Sequence, residues 1–287
     1  IVGRGYLKYK DIDGNEKVDG QIVGAALAEE LRQARLSDET KAVVVRVNSP
    51  GGSALASDIA WREMELLQQA KPVVISMGEM AASGGYYISC PADYIVSNRL
   101  TLTGSIGVFG MIPNFGSFLS NRIGITIDSV TTSPSANMTG LQPLTAAQRR
   151  MLNAQVDKIY TTFTSHVAEG RNLPIDDVLK IAEGREWSGT MAKERGLVDA
   201  IGGINAAIAK AVELADITGN HQLYEFTAPL NPFDQWLKSA GMVYASQWGL
   251  DYGIYGESIN SAIREVPMVF SSQGIQMRIA GNPRIQF

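Results

Sequence analysis

A serine at position 83 lies between small residues, directly after a mostly apolar segment. Residues 72–77 (PVVISM) predict a strand, and the sequence MAASGGY at 80–86 follows it. The two alanines and two glycines beside Ser83 would let its hydroxyl be exposed where a strand turns into a helix. A serine in that position is also a common helix N-cap. The local sequence therefore leaves two interpretations of Ser83 open, a nucleophile and a capping residue.

Two further glycine-rich turns follow apolar segments, SPGG at 49–52 and TGSIG at 103–107. Gly51 and Gly52 have no side chain that could block a ligand from their N–H groups. Two such donors can stabilise the oxyanion of a tetrahedral intermediate by about 3 kcal/mol per donor. A tight turn that needs glycine for positive φ explains the same pair. The TGSIG turn lacks the lysine and the full spacing of a nucleotide-binding P-loop.

A serine nucleophile needs a base, and both histidines are poor candidates. His166 falls inside a long predicted helix, and His221 falls in a weakly patterned tail. These positions disfavour a Ser/His/Asp triad, although spacing alone does not exclude one. The other solution is a lysine whose pKa is lowered by burial, so that its neutral amine accepts the serine proton. With two separated histidines and one cysteine, the sequence predicts no metal site.

Composition excludes several classes of function. The 287 residues carry a formal net charge of -4, which does not indicate binding to nucleic acid or to an anionic membrane surface. The single cysteine, Cys90, excludes an internal disulfide framework. No apolar run is long enough to cross a bilayer, which takes roughly 18 residues. Residue 1 is Ile rather than Met, so we expect a cut or processed chain whose anchor or targeting signal is not visible.

Predicted helices and strands alternate along the chain, which indicates an α/β fold with parallel crossovers. The predicted helices span residues 20–36, 53–70, 115–122, 145–169, 175–182, 191–195 and 204–214. The predicted strands span residues 42–47, 72–77, 94–97 and 125–131, and a polar loop follows at 132–143. Thr145 and Gln148 fit a capping box at the start of the long helix. The aromatic tail beyond Thr218 is expected to pack on the core or to contact another subunit.

Three motifs in order resemble the signal peptide peptidase A family: VRVNSPGGS at 45–53, MAASGGY at 80–86 and LTGSIGV at 102–108. The resemblance covers about residues 19–215 and includes WSG at 187–189. It implies a ClpP/crotonase-like superhelix of ββα units with helical C-terminal appendages. It divides the chain into a linker or truncated segment at 1–18, a peptidase domain at 19–215 and an extension at 216–287 for packing or oligomerisation.

The family's roles carry over residue by residue. The resemblance implies that Ser83 is the nucleophile, that Gly51 and Gly52 form the oxyanion-hole turn, and that Ser105 orients a lysine base. It implies no metal and no organic cofactor, and it leaves the substrate-binding residues unknown.

The lysine itself is the main departure from the family pattern. Short forms of the family carry it in a loop that corresponds to residues 130–138 (VTTSPSANM), which here contain no lysine. Long forms consist of two copies of the fold, with the lysine in the first copy and the serine in the second. This chain resembles the second copy, so the lysine is expected from an N-terminal half of the same protein or from another subunit. Lys8 and Lys10 lie in a charged, amphipathic setting that predicts solvated amines of ordinary pKa.

The expected function is a serine endopeptidase with a Ser/Lys dyad that degrades cleaved signal peptides at a membrane. The resemblance implies the extracytoplasmic face of the bacterial inner membrane and a ring of identical subunits. Apolar peptide substrates could bind as an added strand, against walls that include Met80, Tyr86 and Tyr87, although core packing explains these three residues equally well. Two alternatives remain, a crotonase-type acyl-CoA enzyme and a non-catalytic scaffold half of a peptidase ring.

Overall fold

Short β-branched segments and amphipathic helices alternate along the chain, and in the computed structural model they build a largely parallel sheet covered by helices. The structure describes residues 2–4, 6–8, 21–133, 136, 138–219 and 221–223. The chain divides into two compact units, Ile1–Phe109 with Gln155–Thr227, and Gly110–Ala154 with Ala228–Phe287. We call them unit 1 and unit 2.

The elements follow each other in the alternating order that the sequence predicts. The strands are β1 Val2–Arg4, β2 Tyr6–Lys8, β3 Gln21–Val23, β4 Val43–Ser49, β5 Val73–Ala82, β6 Tyr94–Ser97, β7 Leu102–Gly104, β8 Glu186–Ser188 and β9 Ala200–Ile201. The helices are α1 Gly24–Leu36, α2 Ala54–Ala70, α3 Gly84–Ser89, α4 Gly116–Phe118, α5 Ala146–Gly170, α6 Ile175–Ile181, α7 Gly189–Glu194 and α8 Ile204–Leu214. A π-helical turn, Leu119–Ile123, continues α4.

The main sheet lies in unit 1 and has the strand order β1-β4-β5-β6-β9, with all of these neighbours parallel. Strand β7 pairs in parallel with the second half of β5, and β8 pairs antiparallel with β7. A separate parallel pair is formed by β2 and β3. Helices connect the parallel strands, so the predicted α/β fold class is confirmed.

The core of unit 1 lies on both faces of β4 and β5, as expected for parallel strands that helices cover. Alternate residues of β4 are buried, and the first six residues of β5 are all buried. Leu31 of α1 and Met64 of α2 are fully buried in the larger cluster. Ala207 and Ala211 of α8 belong to a smaller cluster on Val74. Strand β5 is therefore the central strand of the fold.

An irregularity in β5 sets where this strand ends. Val47 pairs with Met77, but Ser49 pairs with Ala81, so four steps along β5 lie opposite two steps along β4. Asn48 fills the gap, because its Oδ1 accepts a hydrogen bond from the Met80 N–H at 3.1 Å. The strand thus continues past Gly78 to Ala82, five residues beyond the predicted end, and its second half reaches β7.

The predicted helix at 145–169 is confirmed as α5, with the predicted capping box at its start. The Thr145 N–H donates to Gln148 Oε1 at 2.8 Å, and the Gln148 N–H donates to Thr145 Oγ1 at 3.2 Å. The predicted strand at 125–131 is wrong, since no strand forms there. Within the described residues this segment has no partner strand, and an isolated strand is not stable alone in water.

Several expectations concern residues outside the described ranges. The predicted linker at 1–18 is described only in β1 and β2, and the extension at 216–287 only at 216–219 and 221–223. Among the described helices, none combines the length and the apolar character that a membrane crossing requires.

Candidate active site

Ser83 lies at the junction between β5 and α3, with its backbone in the left-handed region at φ 50°. This conformation is uncommon for a residue other than glycine. Ser83 occupies the N-cap position of α3, yet its side chain accepts no capping hydrogen bond. Ser53 of the preceding helix does cap, since it accepts from the Ala56 N–H at 3.4 Å. Capping therefore does not explain Ser83, and its half-exposed hydroxyl has no hydrogen-bond partner among the described residues.

The SPGG turn contacts the Ser83 junction directly. Gly51 and Gly52 have φ values of 108° and 148°, which side-chain-bearing residues rarely adopt. A Cβ built on Gly51 would lie 2.8 Å from Ser83 Cβ and 2.8 Å from the Gly84 nitrogen. Only glycine permits this close approach of the turn to the serine.

The two glycine N–H groups differ in their availability. The Gly51 N–H is buried and donates to Ser49 Oγ at 3.1 Å. Gly52 is exposed. Its N–H is therefore the more accessible of the two donors that the sequence singles out.

Gly84 is a further donor that the sequence reasoning did not single out. It is the first residue of α3, so its N–H has no acceptor within that helix. It also directly follows Ser83 and lies against the Gly51 turn. The signal in the sequence was its place, immediately after a serine at a strand–helix junction.

Ser105 lies beside Ser83 at the end of the neighbouring strand. The register pairs Ala82 with Gly104, and the Ser83 N–H donates to the Gly104 carbonyl at 2.9 Å. Ser105 also has a left-handed backbone, with φ 48°, and its N–H donates to the Arg185 carbonyl at 2.8 Å. The structure thus brings together Ser83, Ser105 and the glycine turn, all from separate parts of the sequence.

The histidines do not contact Ser83. His166 Nε2 lies 3.7 Å from Asp58 Oδ1, and its buried Nδ1 has no hydrogen-bond partner in the described part of the chain. Burial lowers the pKa of His166, and the Asp58 carboxylate partly opposes that shift. His221 is exposed and lies in no helix or strand.

No described lysine side chain reaches Ser83. Burial lowers the pKa of Lys71, but this amine donates to the Ala34 carbonyl at 2.9 Å, at the start of β5. The ten residues of β5 separate that end from Ser83 by roughly 30 Å. The other described lysine side chains are exposed or hydrogen-bonded elsewhere: Lys41, Lys158, Lys180, Lys193 and Lys210. The Lys8 side chain and Lys10 lie outside the described part.

The two tyrosines after Ser83 belong to the core. Tyr86 is fully buried, and its hydroxyl donates to the Leu197 carbonyl at 2.9 Å. Tyr87 is 4% exposed. Met80 is half-buried and pairs in register with the half-buried Leu102 of β7. Of the three residues considered as walls of a substrate groove, only Met80 reaches the surface, and the packing interpretation holds for the tyrosines.

Other chemistry is scarce near the site. Among the residues that the structure describes, no three His, Cys, Asp or Glu side chains are grouped to hold a metal ion. Cys90 is fully buried, and burial raises the pKa of its thiol. A thiol in such surroundings is unreactive.

An α/β protein with a serine at a strand end and backbone N–H groups beside it has the parts that acyl-transfer chemistry needs. Residues 65–218 match Peptidase family S49, and this match covers more than half of the chain. The chain belongs to peptidase family S49.

Named relatives agree with this membership. The chain is 44% identical over 214 residues to Protease 4 of Salmonella typhi, a match that covers 74% of this chain and 34% of the relative. It is 36% identical over 264 residues to the chloroplastic serine protease SPPA of Arabidopsis thaliana, covering 91% of this chain and 37% of the relative. The chain thus spans about a third of the length of these relatives.

The solved structures include a mutant of ClpP1 from Listeria monocytogenes. Its similarity has a TM-score of 0.47 at 14% sequence identity and covers 72% of this chain and 93% of that chain.

Proposed function

We propose that the chain carries the nucleophile of a serine endopeptidase with a Ser/Lys dyad, and that residues 19–215 contain its peptidase domain. The observation that carries this proposal is the junction at Ser83. Its backbone is in a strained conformation, and its hydroxyl is free of the capping bond that its position would otherwise explain. Family membership favours a peptidase over the acyl-CoA alternative.

In this proposal, the oxyanion hole consists of the N–H groups of Gly52 and Gly84. Gly52 is exposed, and Gly84 starts a helix whose N-terminus carries partial positive charge. Gly51 acts differently from Gly52, since its N–H is used by Ser49 and its missing Cβ lets the turn approach Ser83. Removing one donor of an oxyanion hole costs about 10²–10³ in kcat.

The base is a neutral lysine amine from outside the described residues, supplied by an N-terminal half of the protein or by another subunit. Ser83 Oγ would transfer its proton to this amine while it attacks the scissile carbonyl carbon. The protonated amine would then donate to the leaving nitrogen, and a water activated by the amine would hydrolyse the acyl-enzyme. Ser105 is placed to orient the lysine, because it lies at the neighbouring strand end.

The proposed substrates are apolar peptides such as the remnants of cleaved signal peptides, degraded at a membrane on its extracytoplasmic face. Met80 and Leu102 support an apolar substrate, since they form a half-buried apolar pair three residues before the two serines. A peptide could bind in extended form beside these strands. No metal or organic cofactor enters the proposed reaction.

We also propose that the chain works in an assembly of identical subunits. Five large apolar side chains of unit 2 are exposed: Met111, Phe118, Ile123, Ile125 and Val130. Clustered exposed apolar residues are typical of protein–protein contacts. Sedimentation of the purified protein, with Phe118→Ser and Ile125→Ser as variants, would test the assembly.

The serine nucleophile is tested by labelling with a fluorophosphonate probe in the full-length protein. We expect labelling of the wild type and none of Ser83→Ala, with complete loss of peptide cleavage. Ser117→Ala is the matched control, because Ser117 is an exposed serine of unit 2 and should leave the label in place. Labelling of Ser83→Ala at the wild-type rate would contradict the proposal and favour a non-catalytic scaffold.

The external base is tested by comparing the 287-residue chain alone with its co-expression with an N-terminal half. We expect activity only in the second case, and its loss when one lysine of that half is changed to methionine. Full activity of the chain alone at neutral pH would overturn the external lysine but not the serine nucleophile.

A further inference from the structure

Three polar side chains from three helices of unit 1 meet below the candidate site. The Tyr87 hydroxyl of α3 donates to Asp58 Oδ1 of α2 at 2.8 Å. His166 Nε2 of α5 lies 3.7 Å from the same oxygen. Asp58 is therefore the common partner of the other two, and we call Asp58, Tyr87 and His166 the helix-linking cluster.

Aromatic rings hold this cluster in place. The His166 ring stacks on Trp61 with centroids 3.5 Å apart and planes at 20°. Tyr87 meets the edge of His166 at 5.4 Å and packs on Phe163 at 4.6 Å. Because Tyr87 is only 4% exposed, its ring has little freedom to leave Asp58. Such contacts restrict the helices to one relative position.

Two of the three helices begin at the candidate site. Helix α2 starts directly after the glycine turn, with Ser53 as its N-cap, and Asp58 is its fifth residue. Helix α3 starts directly after Ser83, and the Tyr87 N–H donates to the Ser83 carbonyl at 2.8 Å. The bond between Asp58 and Tyr87 thus joins the helix that follows the oxyanion turn to the helix that follows the nucleophile.

The proposed chemistry depends on the distance between these two helix starts. Oxyanion donors act only when they lie about 3 Å from the developing charge, and small misplacements are costly. Ser83 is also held in a backbone conformation that relaxes unless its surroundings maintain it. A link one turn below the site can maintain both.

We propose that Asp58 is a positioning residue of the active site, which fixes the glycine turn relative to Ser83 through its hydrogen bond to Tyr87. This role rests on the proposed function, since it concerns the same serine and the same oxyanion donors. Asp58 touches neither the serine nor the substrate. It acts through Tyr87, and His166 supports it from α5.

The test uses full-length, active protein with kcat and KM measured on one apolar peptide, together with thermal unfolding. Asp58→Ala and Tyr87→Phe should each lower kcat about tenfold and leave KM close to the wild-type value. The double variant should be no worse than either single variant, since both changes break the same bond. Asp58→Asn should restore most of the activity, because its amide oxygen can still accept from Tyr87.

Gln68→Ala is the matched control. It removes another side-chain hydrogen bond of α2, from Gln68 Nε2 to Asp93 Oδ1 at 2.7 Å, at the far end of the helix. We expect this variant to keep the wild-type kcat. If Asp58→Ala does not fold, Tyr87→Phe decides, because it removes only a hydroxyl group.

Two outcomes separate the possible failures. If Asp58→Ala and Tyr87→Phe melt at lower temperature but keep the wild-type kcat, the cluster is only structural and the positioning role is overturned. If Ser83→Ala keeps full activity, the proposed function itself is wrong, whatever the Asp58 variants do.

Discussion

Ser83 and Ser105 follow the ends of two neighbouring parallel strands, and their φ values of 50° and 48° are nearly the same. Their surroundings differ. Ser83 leads into the buried helix α3 and contacts the Gly51 turn. Ser105 leads into residues that pair with Arg185 and Gly184. The comparison teaches that backbone conformation alone does not define a nucleophile, and that donors beside the hydroxyl distinguish the two serines.

The largest effect should come from the element that only the Ser83 junction has. Gly51→Ala places a Cβ 2.8 Å from Ser83 Cβ and 2.8 Å from the Gly84 nitrogen, at a φ of 108°. The turn must move, so we expect kcat for peptide cleavage to fall by about a hundredfold or more. Gly203→Ala is the control, because nothing lies within 4 Å of its Cβ position. Equal activity of the two variants would remove the glycine turn from the site.

A smaller effect should come from the second serine. Ser105→Ala removes a hydroxyl that is proposed only to orient the base, so we expect about a tenfold loss of kcat with no loss of folding. Fluorophosphonate labelling of Ser83 should slow by a similar factor but should not disappear. If Ser105→Ala abolishes labelling as completely as Ser83→Ala does, the assigned roles of the two serines are wrong.

The smallest effect concerns the pH dependence of stability, and only the Ser83 side of the comparison carries it. Burial lowers the pKa of His166 below its ordinary value of 6.5, against the charges of Asp58, Glu169 and Glu65. The unfolded chain then binds the proton more tightly than the folded chain does. The free energy of unfolding should therefore be highest above pH 6.5 and should decrease as the pH falls below it.

Denaturant unfolding at several pH values measures this dependence. His166→Phe keeps a ring against Trp61 and removes the titrating group, so its free energy of unfolding should change less between pH 7 and pH 5. An unchanged slope in this variant would show that other groups cause the loss of stability in acid.

Much of the fold follows from local patterns. The strand at Tyr94–Ser97 and the helix at Ile204–Leu214 form with the predicted bounds, because their apolar periodicity and their turn residues agree. The capping box at Thr145 is also confirmed, since both of its hydrogen bonds depend only on residues three apart.

Long-range effects explain the differences. Gly78 suggested the end of β5, but the Asn48 side chain from a neighbouring strand bridges the irregularity, and the strand continues. The alternating residues at 125–131 resemble a strand, yet no described strand lies beside them. Propensity cannot reveal whether a partner is present.

The candidate site divides in the same way. Ser83, Ser105 and the glycine turn could be named from motifs, but their contacts could not. That the Gly51 N–H is used by Ser49, or that Asp58 joins α2 to α3, depends on residues that the fold brings together.

The backbone bonds at the two serines also bear on when the site forms. The Ser83 N–H binds the Gly104 carbonyl, and the Ser105 N–H binds the Arg185 carbonyl, so each link joins parts of the chain that are distant in sequence. Contacts of such long sequence separation form late, because loop closure opposes them. A partly folded chain therefore holds Ser83 without its oxyanion donors or its neighbour in place. Proteolytic competence arises only at the end of folding, which protects nascent chains from premature cleavage.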